Sequence, residues 1–285
     1  MPLVLLVACA VPAAVSTPAP PAAPAETSPG SNTRVVAVGD LHGDLDAALA
    51  TLRLVGLVDE DGAWIGGEAR LVQTGDTTDR GPDSRGVLAL LRRLQAEARA
   101  AGGAVVPLLG NHEVMNLQGD WRYVSAADLD GYGGADARRR AFAPDGEDGA
   151  WLRGLDAVAT IDGTVFVHGG VDARWAAVGV DAINTRVRAA IDAPGDPVLG
   201  PDGPLWNRAF VLDDEPAACA ALGESLAAMG ATRMVVGHTT QRAGVPLARC
   251  DGRLWAIDTG ISAHYGRHLA ALELTGSTVR VRAAP

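Results

Sequence analysis

An α/β fold with buried strands is what this sequence predicts, and three observations predict it. Short β-branched runs alternate with helical patterns along the chain. The first of these runs, Val35-Val36-Ala37-Val38, is apolar throughout, as expected of a strand covered on both faces. Five such runs end in a turn that pairs Gly with Asp, Asn or His, which is where open α/β folds place their chemistry.

The elements follow in order. Residues 1–15 are apolar and too short to span a membrane as a helix. They look like the apolar part of a secretory signal without its positive leading region, and Leu6-Val7-Ala8-Cys9 resembles a bacterial lipoprotein box. Only eight residues precede Cys9, which is short for such a signal and would fit a true start upstream of Met1. Export to the periplasm, or lipid anchoring in a bacterium through Cys9, is the expectation; a disordered apolar tail on a cytoplasmic protein is the alternative. Residues 12–32 carry six prolines among Ala, Ser and Thr and read as an extended tether. The folded domain is expected over residues 33–285.

Within it, Arg34–Val38 reads as a strand, and Leu45, Ala48, Leu49, Leu52 and Val55 give Asp44–Val55 a helical stripe. Ala69–Thr74 is a second strand. Asp83–Ala101 is a helix closed by Gly102-Gly103. Ala104–Leu109 is a third strand in which Pro107, lacking an N–H, should sit at a bulge or on an unpaired side. Residues 116–156, rich in Gly, Asp and Arg, break the rhythm and read as a helical cap insertion over the site. Strands are expected at Ala157–Ile161 and Thr164–Val167, a helix near Val180–Ile191, and a loop from Pro194 to Pro204. A further helix follows at Pro216–Met229, and strands at Arg233–Val236, Arg253–Ile257, Leu269–Leu274 and Val279–Val281.

Composition narrows the function. The 285 residues are 48% hydrophobic, enough for one large domain or two small ones. The net charge is −10, and all 24 basic residues are Arg. An acidic chain without a basic patch argues against nucleic acid as a partner. Part of the acidity suits a site for divalent cations. The cysteines lack Cys-x-x-Cys spacing, which argues against a thiolate zinc site. Cys219 and Cys250 read either as a disulfide of an oxidising compartment or as two buried free thiols.

Four of the six His fall in the strand-end turns: His42, His112, His168 and His238. His264 and His268 read as ordinary surface or core residues. With Asp40, Asp76 and Asn111, the turns offer seven candidate ligands, too many for one ion. The mixture of Asp, His and Asn suits Mn, Fe or Zn better than Mg or Ca. Two ions at about 3.5–4 Å would clamp a displacement at phosphorus and supply a hydroxide at neutral pH. Arg80, beside Asp76 and Asp79, is the nearest cation for phosphoryl oxygens.

The motifs Gly39-Asp40-Leu41-His42-Gly43, Gly75-Asp76-x-x-Asp79-Arg80-Gly81, Gly110-Asn111-His112-Glu113 and His168-Gly169-Gly170, with Gly237-His238, resemble the phosphoprotein phosphatase branch of the calcineurin-like metallophosphoesterases. Gly110 to Asn116, Pro204-Leu205-Trp206-Asn207-Arg208 and Ile257-Asp258-Thr259-Gly260-Ile261-Ser262 are similar to the bacterial and plant Shewanella-like phosphatases in particular. The resemblance covers roughly residues 34–262.

It implies an α/β/β/α sandwich of two mixed sheets flanked by helices. It implies that Asp40 and His42 hold a first metal, that Asp76 bridges, and that Asn111, His168 and His238 hold a second, with Mn the expected ion. His112 would protonate the leaving oxygen, oriented by Asp79. Arg80, Asn111 and Arg208 would bind phosphate, and Trp206 reads as packing. The activity implied is direct attack of a metal-bound hydroxide on a phosphate monoester, on phosphoproteins or on small phosphate esters. Dinucleoside polyphosphate hydrolysis by the same fold and an idle metal-binding module are the rivals. The sequence after His238 is Thr239-Thr240, so the Gly-His-x-His of many other metallophosphoesterases is missing, which disfavours a phosphodiesterase. Nothing matches the C-terminal regulatory segments of eukaryotic members, so no regulatory subunit is expected. In the cap, Trp121, Tyr123 and Tyr132 read either as walls of a phosphotyrosine pocket or as core.

Overall fold

The computed structural model describes residues 33–193 and 195–284. The expected signal, the tether and the lipidation of Cys9 lie outside these residues. Among the described residues no helix is long and apolar enough to cross a membrane.

The first half is built from β1 (Val35–Val38), α1 (Leu45–Leu54), β2 (Arg70–Gln73), α2 (Ser84–Ala100), β3 (Ala104–Pro107) and α3 (Asn111–Leu117). Asp44 and Asp83 cap α1 and α2 by accepting from Ala47 N and Gly86 N, as short polar side chains do at helix starts. The cap follows as α4 (Ala126–Gly131), α5 (Ala135–Ala141) and α6 (Glu147–Arg153). Next come β4 (Val158–Ile161), β5 (Thr164–Val167), α7 (Ala173–Ala176), α8 (Val180–Ile191), α9 (Ala209–Leu212) and α10 (Glu215–Met229). The chain closes with β6 (Arg233–Val236), β7 (Leu247–Arg249), β8 (Leu254–Ala256), β9 (Ala270–Thr275) and β10 (Thr278–Ala283).

These strands form two mixed five-stranded sheets, ordered β10-β9-β1-β2-β3 and β4-β5-β6-β8-β7. Within the first, β1, β2 and β3 are parallel; within the second, β5, β6 and β8 are parallel. Side chains alternate along β1: Val35 and Ala37 pack in the layer between the sheets with Phe166 and Val235. Val36 and Val38 turn outward into a core with Leu52 of α1 and with Val87 and Leu91 of α2. On the other outer face, Val165 and Met234 pack with Ile183 of α8 and Leu222 of α10. The layers are therefore helix, sheet, sheet, helix, as the family resemblance implies.

Pro107 is the last residue of an edge strand. It pairs with Gln73, and Leu108 N donates to Gln73 O, so the proline's missing N–H falls on the open side. The third strand ends there, two residues short of Leu109. The seventh strand, only three residues long at the other sheet's edge, was not foreseen.

Cys219 of α10 and Cys250, just after β7, are joined by a disulfide with Cα atoms 5.3 Å apart. That decides between the two readings of these cysteines. Glu215 accepts from Cys250 N beside it.

Candidate active site

All six parallel strands point their carboxyl ends the same way, and each delivers polar residues to one crevice. β1 leads to Asp40 and His42, β2 to Asp76, Asp79 and Arg80, β3 to Asn111 and His112, β5 to His168, β6 to His238 and β8 to Asp258. Eight of the ten residues singled out from the sequence line a cavity of about 260 Å³: Asp40, His42, Asp76, Arg80, Asn111, His112, Arg208 and His238. Asp79 and His168 lie fully buried beneath its floor. Tyr123, Trp206, Thr240, Asp258 and Tyr265 complete the wall.

The turns are strained to achieve this. His42, Asp76, Asp79, Arg80 and His238 have φ between 44° and 71°, a left-handed conformation that costs a side-chain-bearing residue roughly 1–3 kcal/mol. Such strain persists only where surrounding contacts fix it. Glycines permit the crowding: a Cβ on Gly110 would lie 2.2 Å from Asp76 Oδ1, and one on Gly237 2.4 Å from Asp40 Oδ1. Glu113 supplies the main fixing contact. Its carboxylate accepts from Gly110 N, Asp76 N, Thr77 N and Thr78 N, and from both threonine hydroxyls, all at 2.8–3.1 Å. Its role is thus to hold the Asp76 turn, which the sequence motif did not reveal.

The ring nitrogens are oriented for ligation. His42 Nδ1 donates to Thr78 O at 3.2 Å and His168 Nδ1 to Thr74 O at 2.9 Å; a carbonyl can only accept, so each Nε2 faces the cavity side. His168 Nε2 stands 3.2 Å from Asp76 Oδ2 and 2.9 Å from Asn111 Oδ1. His42 Nε2 lies 3.9 Å from Asp40 Oδ2 and 3.8 Å from Asp76 Oδ2. Two ligand groups form, His42–Asp76–His112 and Asp76–His168–His238, with candidate atoms in each lying within 4.8 Å of one another. Asp76 belongs to both.

Electrostatics agree with a cation here. Burial, then the charges of Asp258 and Asp76, push Asp40 well above the usual carboxylate range. Burial holds His42 down at about 4 and His238 down at about 2, so both imidazoles are neutral donors at pH 7. His238 Nε2 is buried without a hydrogen-bond partner. Crowded carboxylates, neutral imidazoles and an orphaned ring nitrogen are what a divalent ion satisfies.

His112 differs. Its Nδ1 is 2.7 Å from Asp79 Oδ2. Burial pulls this imidazole down, but Asp76 and the Asp79 hydrogen bond and charge outweigh it, raising the pKa to about 9. The Asp76 and Asp79 carboxylates thus favour the protonated form of the His112 ring, which lines the crevice. Arg80 lies across the Tyr123 ring at 3.9 Å, and its buried Nε has no partner. Arg208 donates to His238 O and, at 3.3 Å, to Thr239 Oγ1.

The family model of the calcineurin-like phosphoesterases matches residues 33–239. The chain belongs to that family. This phosphoesterase is 33% identical over 281 residues to Shewanella-like protein phosphatase 2 of Arabidopsis thaliana, covering 80% of this chain and 71% of that one. It is 32% identical over 252 residues to Shewanella-like protein phosphatase 1 of Plasmodium berghei, covering 83% and 70%. Among solved structures, the cold-active protein-tyrosine phosphatase of a psychrophilic Shewanella species superposes with a TM-score of 0.76 at 30% identity. The match covers 88% of this chain and 80% of that one. Family and ligand set together indicate a divalent metal centre in a phosphatase.

Three wall residues carried no assigned role from sequence. Asp258 ends β8 in the same way that Asp40 ends β1, and accepts from Thr240 Oγ1 at 2.6 Å and Gly260 N at 3.0 Å. Tyr265 tilts against His42 with centroids 5.0 Å apart. Trp206, read from the sequence as packing, meets His238 edge-on at 5.6 Å in the cavity wall. Of the three cap aromatics, only Tyr123 reaches the cavity. Tyr132 is buried and donates to Asp148, and Trp121 donates to Asn116 O inside the cap. His264 and His268 are exposed and do not line the cavity.

Proposed function

We propose that the chain is a two-metal phosphomonoesterase acting on phosphoproteins, with Mn as the working ion. The observation that carries this reading is the place of Asp76, whose Oδ2 stands 3.8 Å from His42 Nε2 on one side and 3.2 Å from His168 Nε2 on the other, beside a His112 paired with Asp79. When bound, two divalent ions would activate a water and offset charge on the phosphoryl oxygens. Asp40 and His42 would hold one, Asn111, His168 and His238 the other, with Asp76 between them. Arg80 and Arg208 would clamp the remaining oxygens, together with the Asn111 amide. His112 would give its proton to the departing oxygen, and Asp79 keeps its ring in the required tautomer and orientation. Tyr123 and Tyr265, both half-buried in the cavity wall, could seat an aromatic leaving group, in keeping with the tyrosine phosphatase named above.

The test is hydrolysis of matched phosphotyrosyl and phosphoseryl peptides after chelation and Mn return, with a dinucleoside tetraphosphate alongside. Monoester turnover restored by metal, greatest on phosphotyrosine, is expected. Turnover of the tetraphosphate alone would replace the monoesterase reading with its rival. The Cys219–Cys250 disulfide also supports export, since such bonds persist in oxidising compartments; reduced thiols in freshly isolated protein would remove that support.

A further inference from the structure

The cap contains a side chain that the site description leaves unused. Arg138 of α5 is completely buried, among Phe142, Trp121 and Tyr132, with its guanidinium 4.3, 5.3 and 5.3 Å from their rings. A buried guanidinium is costly unless its charge is paired and its N–H groups are satisfied. Its partners lead to the catalytic turn. Nε donates to Asp128 Oδ2 at 3.1 Å, and Nη1 donates to Asn116 Oδ1 at 2.7 Å. Asn116 Nδ2 in turn donates to Asp79 Oδ1 at 2.9 Å. Arg138 Nη2 makes no hydrogen bond and stands 3.7 Å from that same Asp79 oxygen. Asp128 accepts from Ser84 N at 2.6 Å, and Ser84 Oγ accepts from Asp79 N at 3.1 Å. Asp79 is thus held from two sides by a network that closes only through the cap, and its other oxygen faces His112 Nδ1 at 2.7 Å.

We propose that Arg138 is a positioning residue for proton delivery: through Asn116 and Asp79 it fixes the His112 ring against the leaving oxygen. This rests on the monoesterase reading above. In the step concerned, a hydroxide derived from water bonds to phosphorus while the bond from phosphorus to the leaving oxygen breaks. The departing oxygen keeps the electron pair and takes the His112 proton, giving an alcohol or phenol and hydrogen phosphate. His112 is reprotonated when the next water yields a hydroxide. A misaligned ring would slow this step only where the leaving oxygen needs the proton.

The experiment compares wild type, Arg138→Met and Arg138→Lys on phenyl phosphate and on dinitrophenyl phosphate, whose leaving group departs unprotonated. Metal content and thermal unfolding are measured on the same samples. Arg138→Met should keep both metals and lose roughly 10-fold or more kcat on phenyl phosphate relative to dinitrophenyl phosphate. Arg138→Lys, which keeps the charge but not the fork, should recover part of that difference. If Arg138→Met does not fold, Asn116→Ala breaks the same relay and should show the same selective loss. An equal loss on both esters, or loss of metal, would overturn the inference. Wild type inert toward both esters would instead sink the monoesterase reading, and this inference with it.

Discussion

The strand-end turns and the cap reach the same two residues, Asp79 and Arg80, by opposite routes. The turns do it locally. Each candidate ligand stands within a few residues of a parallel strand, next to a glycine; His42, Asp76 and His238 have left-handed backbones, and Glu113 holds the turn that carries Asp76. The cap does it at long range. Tyr123 accepts from Arg80 N through its carbonyl at 3.0 Å and lies under the Arg80 guanidinium, while Arg138 reaches Asp79 from α5. On the proposed reading, the site takes its metal ligands from one kind of structure and the alignment of its acid and phosphate clamp from another. The two contributions should separate under mutation.

The largest separation is expected inside the turns themselves. Asp76→Asn removes the carboxylate common to both ligand groups and should abolish metal binding and turnover together. His112→Asn should leave metal content intact and lower kcat by about 10²–10⁴-fold, the usual worth of a general acid. Metal analysis and steady-state kinetics on the same preparations check both. Full metal occupancy with normal activity in Asp76→Asn would dismantle the shared-ligand assignment and, with it, the claim that the turns own the metal chemistry.

A smaller effect is expected from the cap. Tyr123→Ala removes the ring under Arg80 but no candidate ligand. A cation–π contact of this kind is worth about 0.5–2 kcal/mol, so kcat/KM should fall roughly 2- to 30-fold. The metals should remain bound. Metal loss in Tyr123→Ala would show that the cap supports the ligands as well, and the contrast between the regions would fail.

The same contrast explains what could be read from the sequence. The turns were legible because strand, glycine and ligand lie within a few residues, so local pattern carries the information. Asp258 also follows a parallel strand, yet its glycine, Gly260, stands two residues on rather than beside it, and no role was assigned. The short seventh strand was invisible because three exposed or half-exposed residues, Leu247 to Arg249, show no usable period. Arg138 was illegible for a deeper reason. In Arg138-Arg139-Arg140 the sequence offers three alike cations that read as a solvated face, and two of them are exposed. Only the packing of Phe142, Asp128 and Asn116 around α5 selects the first, and those contacts come from other helices. The two sheets were implied by the family resemblance, whereas their register and edges came from pairing that no local pattern encodes.

The smallest effect sharpens the comparison where turn and cap meet, at the His112–Asp79 pair. In the metal-free protein His112 titrates at about 9, against ~6.5 in an unfolded chain. A raised folded value means that the native state binds more protons between the two, so its contribution to stability is complete below pH ~6.5. It is lost as pH rises through about 9. The stability advantage of metal-free wild type over His112→Asn should therefore shrink between those limits, by at most about 1.4 kcal/mol per pH unit. Urea unfolding across that range measures the shrinkage, and the imidazole resonances of His112 report the titration directly. Asp79→Asn should move the titration downward by removing the carboxylate charge. A gap that stays constant across the window would mean that neither Asp76 nor Asp79 charges the ring, and that the His112–Asp79 pair serves geometry alone.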